Sequence, residues 1–553
     1  MKKITGVGAC EGIAIGKLRV FDNLAAIIAP RTVQDIEAEL LRFHDARRCA
    51  IDKIEELRGM ALKKVGPEDS MIFRIHQVLL NDHAYITQVE SMISGGHVSA
   101  EYAVQQAGAQ FASMFRQMES PYMQERSADV IDVSNRIISV LKGEYVRDLC
   151  EGEEPFILAA QDLLPSEAIR MDRSKVLAVV TCTGSKTSHA AILSRTMGIP
   201  TVVGTGMQLS MLNNGQTIVV DGANGVVIPD PDETILWEYE CKRAAYKNDR
   251  RRLEQLVAVP SRTLDGTAVS VCANISHPDD VDSVLENGGE GIGLFRTEYL
   301  YLDKDRFPTE EEQFLIYKSV LERMNGRRVV IRTLDLGADK PAPCLQMPHE
   351  ENPAMGCRAI RICLRRPEIF KTQVRALLRA SAYGKLAILI PMVTSPDEVR
   401  HVKQTVASCM AELREEKIPF TKVELGIMIE TPSAAILSDQ FANEVDFFSF
   451  GTNDLTQYVL AVDRMNASIG ELYDPAHPAV LRLMRIAAEN AAQNGIWCAV
   501  CGESGSNTDL TECYLSMGIT EFSVAPSSIL KVRDKICSID LSKQEVSLAQ
   551  PIF

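Results

Sequence analysis

One segment of the sequence combines residue types that could carry a phosphoryl group. Residues 184–189 read Gly-Ser-Lys-Thr-Ser-His, and an apolar stretch that predicts a helix follows directly and ends near Gly198. A helix that begins here offers backbone N–H groups and the positive end of its dipole to an anion. Because a neutral imidazole is a competent nucleophile, His189 is a candidate for phosphorylation. The alternative is that Ser188 caps the helix and His189 is an ordinary first-turn residue.

A second group of polar side chains follows short apolar runs in the C-terminal half of the chain. Four guanidinium groups belong to it, those of Arg296, Arg332, Arg358 and Arg464. Arginine binds phosphate and carboxylate in a bidentate fork, so four arginines at one place indicate a compact polyanion as ligand. Taken alone, each of them would more often form a surface salt bridge.

Two carboxylates and an amide complete this group. Glu430 and Asp454 supply hard oxygen ligands that suit Mg²⁺, which keeps its remaining positions for water and substrate oxygens. With the arginines and such a cation, Asn453 would form a clamp for phosphoryl transfer. The alternative for the two carboxylates is helix capping or hydrogen bonding within loops.

These side chains share one site only if the strands that precede them end at the same rim. From about residue 262 onwards, short apolar runs alternate with helical stretches. Eight of these runs predict strands: 269–273, 291–295, 329–333, 387–392, 424–429, 447–450, 497–500 and 521–524. Eight βα units of this size indicate a TIM barrel, whose active site lies at the carboxyl ends of its strands. An open doubly wound sheet is the alternative.

The N-terminal half predicts a smaller α/β domain with a helical insertion. Short strands are expected within residues 4–21 and again at 156–159, 176–180, 201–203, 217–221 and 225–228. Between them, helical periodicity starts near Thr32 and predicts further helices at 67–94, 99–118 and 122–143. We therefore expect a multidomain α/β protein with four parts: an α/β domain of residues 1–22 and 144–230, a helical insertion of residues 23–143, a linker helix of residues 231–261 and a barrel of residues 262–553.

The composition limits the possible partners. Of the 553 residues, 46% are hydrophobic and 24% are charged, and the formal net charge is −15. Such an acidic chain argues against nucleic acid and anionic membranes as partners. No apolar run approaches the length that spans a bilayer, and the N-terminus lacks the apolar region of a signal peptide. We expect a cytoplasmic protein.

Cys498 and Cys501 have the C-x-x-C spacing of redox and zinc sites. No second pair of this kind completes a zinc site in the sequence. On a strand, positions three apart face opposite sides, so the two thiols are expected to be unrelated. The 14 cysteines of this long chain are expected to be reduced.

Five motifs of the sequence together resemble enzyme I of the phosphoenolpyruvate:sugar phosphotransferase system. They are residues 184–195, residues 293–301 (GLFRTEYLY), residues 332–340 (RTLDLGADK), residues 446–464 (DFFSFGTNDLTQYVLAVDR) and residues 473–478 (YDPAHP). The resemblance covers essentially the whole chain in the domain order of that family, and the α/β domain would then be its phosphohistidine domain.

The resemblance implies a reaction sequence. Phosphoenolpyruvate would bind at the barrel mouth with Mg²⁺, and His189 would attack the phosphorus and become phosphohistidine. Pyruvate would leave as its enolate, which Cys501 would protonate. The phosphoryl group would pass to a histidine of the small carrier protein HPr, docked on the helical insertion, as the first step of sugar uptake. The residues that the resemblance assigns to the substrate are Arg296, Arg332, Arg358, Asn453 and Arg464, and those that it assigns to the metal are Glu430 and Asp454.

Further expectations concern motion and partners. Because one histidine serves two partners, the α/β domain would have to swing as a rigid body about hinges near residues 143–156 and 230–262. The resemblance also implies a homodimer formed through the barrel. It places His76 where the family meets its carrier, although a solvated or half-buried helix histidine explains this residue at least as well.

The chain departs from the family pattern at four places. Ser185, Ala338, Cys357 and the pair Ser504-Gly505 stand where the family usually has Gly, Gly, Trp and Met-Ala. None of these departures removes a catalytic group, but together they bear on substrate affinity and partner choice.

Two other functions stay open as alternatives. A dikinase or phosphoenolpyruvate synthase would need a large nucleotide-grasping domain, whereas the residues before the α/β domain predict a helical bundle. A phosphate loop of the G-x-x-x-x-G-K-[ST] kind is also lacking from the sequence. A regulatory protein that binds phosphoenolpyruvate without turnover is the second alternative, and the full set of reactive side chains argues against it.

Overall fold

The computed structural model describes residues 3–21, 28–64, 66–117, 121–143, 154–185, 188–206, 212–302, 304, 306–337 and 342–543. Residues 186 and 187 of the His189 segment and residues 338–340 of the motif at 332–340 lie outside this set. The chain forms two compact units, Met1–Asp249 and Arg250–Phe553.

A mixed sheet of eight strands organises the first unit. Its strands are β1 (Ile4–Thr5), β2 (Val7–Cys10), β3 (Ile13–Phe21), β4 (Phe156–Ala160), β5 (Val176–Thr181), β6 (Thr201–Val203), β7 (Thr217–Asp221) and β8 (Val226–Pro229). They lie in the order β1-β8-β7-β3-β4-β5-β6-β2. β3 and β4 pair directly and in parallel, with Lys17 opposite Phe156 and Phe21 opposite Ala160. The N-terminal strands therefore complete the sheet, and the helical segment between β3 and β4 is an insertion, as expected from the sequence.

Within its described residues, the insertion contains five helices in place of the four segments that its periodicity predicts. They are α1 (Ile36–Lys64), α2 (Gly66–Leu80), α3 (His83–Gly96), α4 (Ala100–Arg116) and α5 (Pro121–Lys142). The prediction of one helix at 67–94 is wrong, because the chain leaves the helical conformation at Asp82. This residue has φ −65° and ψ 124°, and its side chain accepts the N–H of Tyr85. A side-chain cap of this kind starts a new helix.

Three more helices belong to this part of the chain: α6 (Pro165–Ala168), α7 (His189–Met197) and α8 (Glu233–Glu254). The last of them contains the boundary between the two units. Its Trp237 is 70% exposed, as expected of a polar linking helix. Among all the helices that the structure describes, none combines the length and the apolar character that a bilayer crossing requires.

The insertion and the sheet share one hydrophobic core. Phe43, Phe73 and Val133 of the insertion belong to the same buried cluster as Leu158 of β4 and Leu193 of α7. A hinge near residues 143–156 would have to open this cluster and expose apolar surface to water. The structure therefore does not favour the first of the two expected hinges, whereas the second, at 230–262, includes the boundary between the units.

A buried polar contact crosses the same border. The carboxylate of Asp132, on α5, accepts the backbone N–H of Ser166 at 3.1 Å and the Ser166 hydroxyl at 2.7 Å. Both residues are buried. Since a buried polar group that loses its partner keeps the full cost of its desolvation, this contact fixes the insertion to the start of α6.

Eight parallel strands close into a barrel in the second unit. They are β9 (Ser270–Ile275), β10 (Ile292–Phe295), β11 (Val329–Arg332), β12 (Leu386–Ile390), β13 (Glu424–Ile429), β14 (Phe447–Phe450), β15 (Trp497–Val500) and β16 (Glu521–Val524). β16 pairs with β9 and closes the ring, with Val524 opposite Ala273. The predicted TIM barrel is confirmed, and the open sheet is wrong.

Helices cover the outside of the barrel. They are α9 (Asp280–Glu286), α10 (Glu310–Arg323), α11 (Ile360–Arg365), α12 (Pro367–Ala380), α13 (Pro396–Glu415), α14 (Pro432–Ile436), α15 (Ser438–Phe441), α16 (Thr452–Leu460), α17 (Pro478–Gln493), α18 (Thr511–Ser516) and α19 (Ile529–Ser538). Alternate strand residues face opposite sides: Ile331 packs in the outer core with the helices, whereas Val330 and Leu389 pack inside the barrel. This outer core and the filled interior hold the strand ends rigidly.

The Asp132 contact gives a prediction about stability. Asp132→Asn keeps the shape of the side chain but turns an amide donor toward the donors of Ser166. We expect the unfolding free energy of the first unit to fall by about 1–3 kcal/mol, measured by urea unfolding. The control is Asp52→Asn on the exposed side of α1, which should change it by less than about 0.5 kcal/mol. An equal stability of both variants would contradict the role given to the contact.

Candidate active site

The predicted helix that carries His189 is present. Ser188 occupies the N-cap position with extended φ and ψ, and α7 begins at His189. The Ser188 hydroxyl donates to the carbonyl of Ser185 at 2.9 Å, so this serine stabilises the preceding turn and does not cap the helix with its side chain. Gly198 ends α7 in the left-handed conformation, with φ 64°. The imidazole of His189 lies outside what the structure describes.

A cavity of about 580 Å³ lies at the carboxyl ends of the barrel strands. All eight predicted residues of the barrel line it: Arg296, Arg332, Arg358, Glu430, Asn453, Asp454, Arg464 and Cys501. Leu294, Met428 and Tyr473 are also part of its wall. The guanidinium groups thus face a shared space, which is the geometry that a compact anion requires.

Buried carboxylates hold Arg332 in place. Its Nη2 lies 2.6 Å from Glu298 Oε1, and its Nη1 lies 2.9 Å from Asp335 Oδ2. Burial acts to lower the pKa of Arg332, but Glu298 and Asp335 outweigh it and raise that pKa above its ordinary value. The guanidinium is therefore permanently charged and fixed in orientation.

Asp335 also binds Arg358, which reaches the cavity from the segment before α11. Arg358 Nη2 lies 2.9 Å from Asp335 Oδ1 and 3.6 Å from Asp454 Oδ2, and its Nη1 lies 3.4 Å from the hydroxyl of Tyr458. Burial opposes the charge of Arg358, but Asp335 and Asp454 raise its pKa overall. One carboxylate therefore links two of the four arginines.

The positive charges of the other two arginines are compensated less by carboxylates. Burial, and then the charge of Arg332, lower the pKa of Arg296. Arg464 is exposed at the rim, and its backbone N–H donates to Gln457 Oε1 at 3.2 Å. Within the part of the chain that the structure describes, neither guanidinium forms an ion pair with a carboxylate. An anionic ligand would supply the charge that is lacking there.

Two carboxylates adjoin the arginines. Glu430 is 1% exposed and follows β13 directly, and its Oε1 accepts the N–H of Met392 at 2.5 Å. Burial, together with the charges of Asp454 and Asp335, raises the pKa of Glu430 above its usual range. Asp454 Oδ1 is buried and has no hydrogen-bond partner among the described residues. A bound cation would reduce the repulsion between these carboxylates and would give the unpaired Oδ1 of Asp454 a partner, so the pair fits a metal ion.

The metal site is nevertheless sparse in protein ligands. Across the described ranges, no group of three or more His, Cys, Asp or Glu side chains is placed to hold an ion. Mg²⁺ is commonly bound by one or two carboxylates together with substrate phosphates and water. Two carboxylates beside an anion cavity would therefore leave the other coordination positions of a bound ion to substrate oxygens and water.

Asn453 connects two loops of the mouth. Its Nδ2 donates to Glu503 Oε1 at 3.3 Å, and its Oδ1 accepts the N–H of Glu503 at 3.0 Å. The Tyr473 hydroxyl donates to the carbonyl of Asn453 at 3.1 Å. The start of α16 and the segments after β15 and before α17 are thereby held together.

Cys501 and Cys498 have separate environments, as the strand periodicity predicts. Cys498 packs in the outer core, and Cys501 packs in the interior cluster with Leu294 and Met428. Cys501 is 2% exposed, and its thiol donates to the carbonyl of Phe450 at 3.5 Å. Burial raises the pKa of Cys501 to about 11. The thiol therefore keeps its proton at neutral pH and can donate it, as a general acid must.

His76 is not presented to a partner in this structure. Its ring is 1% exposed, and its Nε2 lies 3.3 Å from Asp129 Oδ1 inside the insertion. The ring is therefore fully buried, neither solvated nor half-buried as the alternative expected, and a direct carrier contact is not supported.

The departures from the family pattern are accommodated locally where they are described. Gly184 has φ 100°, whereas Ser185 is not among the residues with positive φ, so a side chain causes no backbone strain there. The N–H of Cys357 donates to Glu350 Oε1 at 3.0 Å. The Ser504 hydroxyl donates to Thr452 Oγ1 at 2.8 Å. Ala338 lies outside the described residues.

Sequence reasoning did not assign a role to Glu298, Asp335 or Tyr458. Glu298 lies two residues after Arg296, and Asp335 lies three residues after Arg332. A carboxylate this close to a strand-end arginine could have indicated ion pairs at the rim. Tyr458 follows Asp454 by four residues on α16, so the two share a helix face. Apart from the pair of Arg332 and Asp335, their contacts join different segments, which the sequence alone does not bring together.

Comparisons with known proteins show the family of the chain. Family models described as PEP-utilising enzyme match the chain at residues 5–126 (N-terminal), 152–225 (mobile domain) and 250–541 (PEP-binding domain). The fold and the site thus define a phosphoenolpyruvate-utilising enzyme. The phosphoenolpyruvate-protein phosphotransferase of Bacillus subtilis is 43% identical over 99% of this chain and 95% of its own length. That of Haemophilus influenzae is 40% identical over 98% and 95%. The chain belongs to the family of phosphoenolpyruvate-protein phosphotransferases.

A solved structure is also similar to part of the chain. The solution NMR structure of an Enzyme I protein (nEIt) is 36% identical, and the match covers 44% of this chain and 99% of that one with a TM-score of 0.38.

The packing around Glu430 gives a prediction. A Cβ at Gly451 would lie 2.8 Å from Glu430 Oε2 and 2.9 Å from Met428 Sδ, so Gly451→Ala must displace the buried carboxylate. We expect kcat/KM for phosphoenolpyruvate to fall about tenfold or more, measured by pyruvate release. In the control Gly505→Ala, the same methyl group meets Val500 at an ordinary 3.5 Å and should leave kcat/KM nearly unchanged. Equal activities would show that the position of Glu430 is not critical.

Proposed function

We propose that this chain transfers the phosphoryl group of phosphoenolpyruvate to His189 and then to a histidine of the carrier protein HPr, as the first step of sugar uptake by the phosphotransferase system. The observation that carries the proposal is the cavity, where two guanidinium groups that form no ion pair with a described carboxylate adjoin a carboxylate pair and a protonated thiol. In the first transfer, the bond between phosphorus and the enol oxygen breaks and a bond between phosphorus and nitrogen forms. His189 at the N-terminus of α7 suits the phosphorylated state, because the dipole favours an anion there.

The substrate is held by the arginines and an amide. Arg296 and Arg464 form no ion pair with a described carboxylate, and Arg332 is fixed by Glu298 and Asp335. Asn453 adds an amide dipole beside them, and Arg358 is a further contact with the same cavity. Such a preorganised set stabilises the charge that spreads over the phosphoryl oxygens in the transition state.

The PEP-utilising enzyme family uses a metal, and we assign Mg²⁺ to Glu430 and Asp454. Bound there, Mg²⁺ would supply positive charge that stabilises the negative charge developing during phosphoryl transfer. Glu430 and Asp454 would hold it in the cavity wall, and the N–H of Met392 fixes the orientation of Glu430.

Cys501 completes the reaction by proton transfer. The enolate that leaves the phosphoryl group needs a proton on its terminal carbon to become pyruvate. The Cys501 thiol is buried in the cavity wall and remains protonated at neutral pH. It therefore donates the proton to this carbon and recovers one from solvent after product release.

The assignments of partner and place follow from the family. HPr would dock on the helical insertion and receive the phosphoryl group there, away from the barrel. The active form would be a homodimer joined through the barrel, and the enzyme would act in the cytoplasm, where its carrier resides.

The role of His189 is tested by substitution. Wild-type chain mixed with phosphoenolpyruvate and Mg²⁺ should gain one phosphoryl group by intact-mass spectrometry, and His189→Ala should gain none because the accepting nitrogen is absent. The control His401→Ala, at an exposed position of α13, should be phosphorylated like wild type. Transfer to HPr by the His189 variant would refute the proposal.

A wild-type chain that binds phosphoenolpyruvate but is never phosphorylated would favour a regulatory protein, and phosphorylation by ATP with pyruvate would favour a dikinase.

The metal assignment is tested by separating the two transfers. Glu430→Gln keeps the side-chain size but removes the charge, so phosphorylation by phosphoenolpyruvate should slow by about 100-fold or more. Back-transfer from phosphorylated HPr to His189 should continue at the wild-type rate, since it does not use the barrel. The control is Glu415→Gln, exposed at the end of α13, which should alter neither step. An unaffected first step in the Glu430 variant would exclude this metal ligand.

A further inference from the structure

The guanidinium of Arg358 donates hydrogen bonds through all three of its nitrogens. Its Nε and Nη2 donate to Asp335 Oδ1 at 3.2 and 2.9 Å. Its Nη1 donates to the hydroxyl oxygen of Tyr458 at 3.4 Å. Asp335 therefore fixes one edge of the guanidinium plane, and the contact with Tyr458 lies on the other edge.

The segment that carries Arg358 is tied to the same tyrosine. The Tyr458 hydroxyl donates its proton in a short hydrogen bond to the carbonyl of Ala354. A phenol has one proton to donate and lone pairs to accept with, so one oxygen serves both contacts. Tyr458 thus joins the backbone of the segment 352–358 to the side chain at its end.

The backbone beside Arg358 is strained. Ala359 has φ 53° and ψ −126°, a conformation that is unfavourable for an L-residue and persists only where surrounding contacts enforce it. The Ala359 N–H donates to the carbonyl of Leu336 at 3.0 Å on one side of this residue. On the other side, the contact between Tyr458 and Ala354 restrains the preceding segment.

Tyr458 is anchored at the metal side of the cavity. It lies on α16 one turn after Asp454, and its hydroxyl is 4.0 Å from the sulfur of Met392. Met392 itself has φ 58° and donates its N–H to Glu430. Tyr458 therefore belongs to the helix that carries Asp454, and it contacts both the residue that orients Glu430 and the Arg358 segment.

We propose that Tyr458 is a positioning residue, whose hydroxyl holds Arg358 and the segment 352–358 in the arrangement that binds phosphoenolpyruvate. The inference rests on the proposed function, because it assigns the cavity to that substrate. Tyr458 does not line the cavity and acts through Arg358.

The test is Tyr458→Phe, which removes the hydroxyl alone and keeps the ring. We expect KM for phosphoenolpyruvate to rise about three- to tenfold, equivalent to the loss of one or two ordinary hydrogen bonds, while kcat changes less than about twofold. Back-transfer from phosphorylated HPr should stay at the wild-type rate. The matched control is Tyr383→Phe, which is 39% exposed near α12 and should leave KM unchanged.

Three results would overturn the inference. An unchanged KM in an active Tyr458→Phe variant would overturn the inference alone. A lowered melting temperature with equal losses in both transfers would show a general structural role instead. A wild-type chain that phosphoenolpyruvate does not phosphorylate would overturn the proposed function and, with it, this inference.

Discussion

Asp335 carries the charge on which the barrel mouth depends. It is 2% exposed and binds Arg332 and Arg358, each at 2.9 Å. Without this carboxylate, two buried guanidinium groups would share a region of low dielectric, where uncompensated charge is costly. With it, the arginines are held in fixed directions and stay ionised. The cation-rich cavity is therefore possible only because an anion is buried behind it.

The four arginines consequently divide into two kinds. The positive charges of Arg332 and Arg358 are compensated by protein carboxylates, which also orient the two side chains. For Arg296, burial lowers the pKa, and Arg464 is exposed at the rim. A site with only compensated charges would attract an anion weakly, and one with only bare charges would be unstable when empty. With both kinds present, two arginines are held rigidly and the other two attract an anion into the same cavity.

Much of this arrangement can be predicted from the sequence because a parallel barrel fixes where each strand ends. Arg296, Glu430 and Cys501 each follow a strand directly, so the strand pattern alone places them at one rim. The break at Asp82 escaped prediction, since the apolar period continues across it. The contact of Tyr458 with Ala354 also escaped, because it joins residues 104 positions apart and depends on side-chain geometry. Polar contacts between residues far apart in the chain produce no periodic pattern in the sequence, so they cannot be predicted from periodicity.

The direct pairing of β3 with β4 has a consequence for how the chain folds as it is made. β3 leaves the ribosome well before β4, and the five helices of the insertion are synthesised in between. Until β4 emerges, that side of β3 is an open strand edge that could pair with another nascent chain. Helices form from local contacts and fold faster than such distant strand pairs. We therefore expect the insertion to assemble first and the sheet to close late, so that completion of the sheet limits folding of the first unit.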